Sequence, residues 1–130
     1  MSFVWPDQRE RLELLRAALA LAPGTPVEID RADAADWVER KLAEPAPGSV
    51  TVLFHSVVAM YLKQASAERL HAAIEAAGRR ATTKAPFAWL FMEPGEDMAE
   101  VRLRLWPGGS ERLLATCGFQ RGPVRWVDQP

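Results

Sequence analysis

Two polar residues, His55 and Ser56, interrupt an apolar stretch of the sequence. They lie in "TVLFHSVVAMYL", directly after residues 50–54, whose continuous apolar, β-branched pattern is typical of a strand covered on both faces. In an open α/β sheet, ligands bind beyond the carboxyl ends of the parallel strands, because loops and helix N-termini converge there. The pair therefore lies where such a fold places a binding site.

Polar residues also follow the other predicted strands. Asp33 comes soon after the weak strand candidate "PVEID", residues 26–30, and Glu93 follows the apolar run "FAWLFM", residues 87–92. Tyr61 is close enough to the end of its strand to join them. We expect His55 and Ser56 on a central strand, with the others at the same edge of the sheet. The candidate pocket therefore consists of Asp33, His55, Ser56, Tyr61 and Glu93.

Each candidate also has a purely structural explanation. Asp33 can cap a helix, and Ser56 can cap the turn that follows it. His55 can satisfy loose backbone carbonyls at the end of the strand, and Glu93, in "MEPGED", is typical of a solvated turn. Both explanations remain open at this level, and we assign no catalytic residue.

The spacing does not support several familiar kinds of site. Ser56 lacks the flanking glycines of a nucleophile elbow. His55 and His71, sixteen residues apart, lack the spacing of metal ligands, so we expect no metal. No G-x-G-x-x-G turn is present to hold a nucleotide-type cofactor. Cys117 lies in a predicted strand and reads as a buried thiol.

The composition is that of one globular domain. The 130 residues are 48% hydrophobic and 25% charged, with a formal net charge of −1. A chain with this net charge lacks the excess of positive charge that proteins use to bind nucleic acid or an acidic membrane. No apolar run approaches the roughly 20 residues of a membrane helix, and the start does not resemble a signal peptide. We therefore expect a cytoplasmic protein with no nucleic-acid or membrane partner.

The sequence predicts three helices from their caps and apolar periodicity. The first is capped by Asp7 and the second by Asp33. The third is capped by Ser66 and ends at Gly78, which we expect to adopt a left-handed stop conformation.

The C-terminal part of the chain has the alternation of half-exposed strands. In "EVRLRLW" we expect Val101, Leu103 and Leu105 to be buried and Arg102 and Arg104 to face solvent. Two further strands and their turns follow, which predicts an antiparallel meander. The expected fold is a three-layer, Rossmann-like α/β sandwich with a mixed sheet of about five or six strands, three flanking helices and that C-terminal meander.

Several segments together resemble one bacterial family. They are "VWPDQRERLELLRAALALA", "RADAADWVERKL", "VTVLFHSVVAMYL", "APFAWLFMEP", "VRLRLWPGGSERLLA" and "VRWV". In this order they cover nearly the whole chain and resemble the C-terminal part of the bacterial domain-of-unknown-function family 2332. Longer members carry a glycine-containing segment similar to the first strand and loop of S-adenosylmethionine-dependent methyltransferases. The resemblance implies one truncated, methyltransferase-like domain over residues 1–130, without the glycine-loop half.

The resemblance also implies roles for the candidate residues. "RADA" would place Asp33 near an adenine, and "FHSVVAMYL" would place His55, Ser56 and Tyr61 at the substrate-facing position. Because the glycine loop is absent, S-adenosylmethionine could bind only with the help of a partner chain.

Three functional hypotheses follow from the residues and the resemblance. The first is a non-catalytic or partner-dependent remnant that acts as a self-associating module, most simply a homodimer, because an open apolar strand edge is a template for pairing. The second is half of a methyltransferase, completed by a separate glycine-loop chain. The third is a small-molecule binding domain that uses the strand-end pocket. The sequence leaves open whether the chain is an enzyme.

Overall fold

Residues 4–25, 27–119 and 123–127, which the computed structural model describes, form three α-helices and an open, mixed five-stranded sheet. The strand order is β1-β2-β3-β4-β5, with β1 and β2 parallel and all other neighbours antiparallel. The predicted mixed α/β class and the antiparallel C-terminal meander are confirmed. The elements are α1 (Arg9–Leu21), α2 (Ala34–Lys41), β1 (Thr51–Ser56), α3 (Gln64–Arg80), β2 (Phe87–Pro94), β3 (Ala99–Trp106), β4 (Ser110–Cys117) and β5 (Arg125–Trp126).

Backbone contacts divide the chain into two compact units, residues 1–31 and 32–130. The first unit contains α1, whose N-cap is Gln8 without a side-chain hydrogen bond. The prediction that Asp7 caps this helix is therefore wrong. A turn in which the Gln8 amide donates to the Trp5 carbonyl at 3.0 Å precedes the helix and moves its first residue beyond Asp7.

The strand predicted at residues 26–30 does not form over residues 27–30, and Pro26 lies outside the described residues. Val27 and Ile29 are 75% and 89% exposed. A short alternating sequence specifies only the directions of its side chains. A strand also needs a neighbouring strand for backbone hydrogen bonds, and residues 27–30 have none in the described sheet. That prediction is wrong. As a result β1 is an edge strand, and the central position expected for His55 and Ser56 is wrong as well.

In the second unit, α2 and α3 pack on one face of the sheet. Asp33 caps α2 as predicted, since its Oδ1 accepts from the Ala35 amide at 2.9 Å. Arg69 of α3 donates to Asp36 and Glu39 of α2 at 2.7 and 2.6 Å. These hydrogen bonds raise the pKa of Arg69, and the bond to Glu39 has the larger effect. The buried core consists of Ala35, Val38, Leu42, Leu53, Leu70, Ile74, Phe87, Trp89 and Trp106.

Helix α3 differs from the prediction at both ends. It begins at Gln64, so Ser66 lies within its first turns and donates its hydroxyl to Asp33 Oδ2 at 3.2 Å. It continues to Arg80, so Gly78 is not a left-handed stop. Gly78 is buried instead, and a Cβ at this position would overlap the indole ring of Trp106. The predicted cap at Ser66 and the predicted stop at Gly78 are therefore both wrong. Ser66 contacts Asp33, the N-cap of α2, and Gly78 packs against Trp106 of β3.

The side-chain register of β3 is the reverse of the prediction. Trp106, Arg104 and Arg102 lie opposite Phe87, Trp89 and Phe91 of β2, and therefore on the face that the helices cover. Burial of the Trp106 ring sets this register, because side chains alternate along a strand.

Acidic partners offset the cost of turning the β3 arginines toward the helix-covered face of the sheet. Arg104 pairs with Glu75 of α3, and Arg102 donates to Glu100 and Glu111 at 2.8 and 3.1 Å. Hydrogen bonding to Glu100, with a smaller effect of Glu111, raises the pKa of Arg102. The prediction of solvent-facing arginines is therefore wrong.

The opposite face of the sheet is partly uncovered. Val101 and Leu103 are half-buried, and Leu105, which was expected to be buried, is 39% exposed. Val52 and Phe54 of β1 project from this same face and are 55% and 60% exposed. Among the described residues, no helix has the length and apolar character needed to cross a membrane.

Candidate functional site

The parallel strands β1 and β2 end at the same edge of the sheet and bring two of the predicted residues together. His55, near the end of β1, lies beside Phe91 in the register, and Glu93 follows two positions later on β2. His55 Nδ1 and Glu93 Oε1 are 2.9 Å apart. Their side chains are 15% and 16% exposed, so this contact is largely removed from water.

A second hydrogen bond identifies the tautomer of His55. The indole N–H of Trp89 donates to His55 Nε2 at 3.0 Å. Because an indole nitrogen can only donate, Nε2 must be an acceptor, so the proton of the neutral imidazole is on Nδ1 and is donated to Glu93. Both ring nitrogens are therefore occupied, and His55 connects β1 to β2 through its side chain.

Glu93 also holds the loop that follows β1. Its Oε1 accepts from the amides of Val58 and Ala59 at 3.0 and 3.2 Å. Val57, just before them, has a φ of 49°, a conformation that is unfavourable for a β-branched residue. The Val57 amide donates to the Met92 carbonyl at 2.8 Å. These bonds offset the strain and fix the start of the 3-10 turn Ala59–Tyr61.

The second oxygen of Glu93 is in a different situation. Oε2 is buried and has no hydrogen-bond partner among the described residues. A buried carboxylate oxygen without a donor is energetically unfavourable, and such groups are rare in folded proteins. Glu93 is therefore incompletely satisfied, although Oε1 receives three donors.

Glu93 borders a cleft of about 280 Å³ between α3 and the sheet. Trp89 and Phe91 stack with ring centroids 4.4 Å apart, and His71 of α3 meets Trp89 edge-on at 5.3 Å. The walls are mainly apolar and the polar groups are few. The walls include Val58, Leu62, Leu70, Trp89 and Phe91, and the polar groups include His55, His71, Glu93, Arg104 and Glu111.

Among the charged side chains that line the cleft, Glu93 alone has no charged partner within the described residues. Arg104 is engaged by Glu75, and Glu111 accepts from Arg102. The three donors to Glu93 are two backbone amides and a neutral imidazole. The cleft is therefore lined by one carboxylate whose negative charge is not balanced by a cationic side chain among the described residues.

The other predicted residues do not line this cleft. Asp33 caps α2, and the backbone hydrogen bond from Ala35 lowers the pKa of its carboxyl. Ser56 alternates to the opposite face from His55 and is exposed. Tyr61 lies in the 3-10 turn and is 76% exposed. The cleft thus contains two of the five predicted residues, His55 and Glu93.

Sequence analysis missed Trp89, His71 and the Arg104–Glu75 pair. The sequence could have indicated Trp89. Side chains alternate along a strand, so residues 87, 89, 91 and 93 share one face and Glu93 points the same way as Trp89. The position of His71 and Glu75 depends on how α3 crosses the sheet, which the sequence does not specify. Within residues 4–25, 27–119 and 123–127, no group of three or more His, Cys, Asp or Glu side chains could hold a metal ion.

Comparison with known proteins assigns the chain to a family. The sequence model of a bacterial family described as "Uncharacterized protein conserved in bacteria (DUF2332)" matches residues 1–126. Neither a curated protein nor a solved structure matches the chain. The match covers well over half of the sequence, so the chain belongs to this bacterial family.

Proposed function

We propose that this member of the bacterial family is a non-catalytic module that self-associates by pairing the β1 edges of two copies. The observation that carries the proposal is that β1 is an apolar edge strand, bonded within the described sheet to β2 alone. Proteins normally protect such edges with charges, prolines or a covering element, because an open edge pairs readily.

The backbone of β1 has groups available for this pairing. The Thr51 amide donates to the Pro86 carbonyl at 3.0 Å, and the Val57 amide donates to Met92 at 2.8 Å. Because bonding directions alternate along a strand, the amides of Val52, Phe54 and Ser56 point away from β2. A second strand could accept them and extend the sheet.

The surroundings of β1 favour a second copy of the same chain. Residues 49–62 contain no Asp, Glu, Lys or Arg, so two such strands meet without charge repulsion. An apolar groove of about 260 Å³ runs beside the strand and is lined in part by Trp37, Leu53 and Phe54. A two-fold dimer places the same strand and groove on both partners, and a stable one buries at least about 1,000 Å².

The partner-completed alternative uses the same edge. In a methyltransferase-like sheet the strands of the glycine-loop half would continue beyond β1, so a separate chain could complete the fold there. S-adenosylmethionine would then bind only to the assembled pair. A chain that stays monomeric alone and associates only with such a partner would favour this alternative over self-association.

A charge placed on the β1 edge tests the proposal. In sedimentation equilibrium of the whole chain at micromolar concentration, we expect the wild type at twice the chain mass and Val52→Lys at the chain mass. The matched control is Ala72→Lys, which adds the same charge at an exposed position of α3 and should remain dimeric. A monomeric wild type, or a dimer that Val52→Lys leaves intact, would contradict pairing through β1.

The strand-end cleft supports a second function, which is the binding of a small molecule. Its volume of about 280 Å³ lies near the lower end of the range for ligand pockets, about 300–1,000 Å³. Apolar walls with a few convergent polar groups are also typical of such pockets. His55 has both ring nitrogens occupied, so we assign the cleft a binding role without an acid–base step.

A further inference from the structure

We propose that the strand-end cleft binds a small organic cation, an ammonium compound with a short apolar body, and that the ammonium group lies against the Glu93 carboxylate. This inference rests on the proposed small-molecule function of the cleft and names its ligand class. It does not require self-association, because the carboxylate that it invokes, Glu93, lies on β2 and not on the open edge of β1.

The first reason is the charge of Glu93. Its donors are neutral, and its Oε2 has no partner among the described residues. The side chain is 16% exposed and lines the cleft, so a ligand in the cleft would lie beside a carboxylate whose Oε2 is buried without a donor among the described residues. An ammonium group would supply both the missing positive charge and additional N–H donors.

The second reason is that other ligand classes fit less well. His55 cannot ligate a metal ion, because Trp89 and Glu93 occupy its two ring nitrogens. An anion would meet the Glu93 carboxylate, while Arg104, the arginine of the cleft, is already paired with Glu75. A strongly polar ligand would leave the apolar walls unused.

The third reason is the aromatic lining. Trp89 and Phe91 form part of the wall next to Glu93, and aromatic rings attract cations in sites removed from water. The remaining walls, which include Leu62 and Leu70, suit a short alkyl or aryl group. One small cleft thus offers both a carboxylate and apolar surface.

Three matched probes test the inference on the wild-type chain. The probes are 2-phenylethylamine, the neutral 2-phenylethanol and the anionic phenylacetate, titrated at pH 7 and followed through the indole N–H signal of Trp89 by NMR. We expect the amine to bind at least ten-fold more tightly than the alcohol, and phenylacetate to bind more weakly than either. If the amine and the alcohol bind equally, the cleft accepts small molecules but the cation inference is wrong. If none binds, the small-molecule function is wrong as well.

A charge-removing variant locates the cation. Glu93→Gln should weaken amine binding at least ten-fold more than it weakens binding of the alcohol, so that the preference for the amine is lost. The control Glu68→Gln removes the same charge from an exposed position of α3 outside the cleft, where Glu68 accepts from Gln64, and should change neither affinity. Equal weakening by the two variants would overturn the assignment to Glu93. If Glu93→Gln does not fold, the amine-to-alcohol ratio of the wild type still decides the inference.

Discussion

His55 lies between two side chains, and each of them uses one of its ring nitrogens. Trp89 donates to Nε2, and Glu93 accepts from Nδ1. The resulting chain of three side chains joins the ends of β1 and β2 and, through Glu93, the loop that follows β1. A histidine at the end of a strand therefore functions here as a structural connector whose tautomer is fixed by its neighbours.

Trp89→Phe tests this role of His55. The variant removes the indole donor, leaves Nε2 without its partner in a largely buried site, and should lower the free energy of unfolding by about 1–3 kcal/mol. Urea denaturation measures the change. Trp126→Phe is the control, because Trp126 is 66% exposed and its replacement should change stability by less than about 0.5 kcal/mol. Equal effects of the two replacements would contradict the structural role of the Trp89–His55 bond.

At the scale of elements, α3 approaches β3 closely at one point. Gly78 brings the helix backbone against the Trp106 indole, and Arg104 extends over the same ring while it pairs with Glu75. These contacts determine which face of β3 is buried. They explain why a residue that reads as a helix stop lies inside the helix.

Gly78→Ala should destabilise the protein although alanine is the better helix former. The added methyl group would overlap the Trp106 ring, and overpacking of this kind costs about 1–3 kcal/mol, more than the gain of about 1 kcal/mol in helix propensity. Thermal or urea unfolding measures the difference. Gly24→Ala, where the new Cβ meets nothing within 4 Å, should be close to neutral. A variant at Gly78 as stable as the wild type would show that α3 does not depend on this approach.

The elements differ in how far the sequence could predict them. Helix α2 was predictable, because its cap Asp33 and its buried residues Val38 and Leu42 are local features of one segment. The face of β3 was not, because the partners of Arg102 and Arg104 include Glu75 on another element. In the candidate site, the strand ends drew attention to His55 and Glu93, but the contact between them depends on a parallel register that no local pattern contains.

At the scale of the molecule, β1 forms one edge of the sheet and bonds, within the part of the chain that the structure describes, to β2 alone. Residues 27–30 form no strand, and the Val52 and Phe54 side chains of β1 are exposed. The described sheet has a second edge, where the two-residue β5 pairs only with Ala115 and Thr116 of β4. Pairing of two β1 edges would remove the longer continuous apolar edge and double the sheet.

Amide hydrogen exchange, resolved by residue and measured over a range of protein concentrations, tests this pairing most directly. Along β1 the odd-numbered amides bond to β2, whereas those of Val52 and Phe54 point to the open edge. Self-association predicts that the Leu53 amide is protected at all concentrations, while protection of Val52 and Phe54 increases with concentration to a similar level. If Leu53 is protected and the amides of Val52 and Phe54 exchange freely at every concentration, the β1 edge does not pair and the proposed function is wrong.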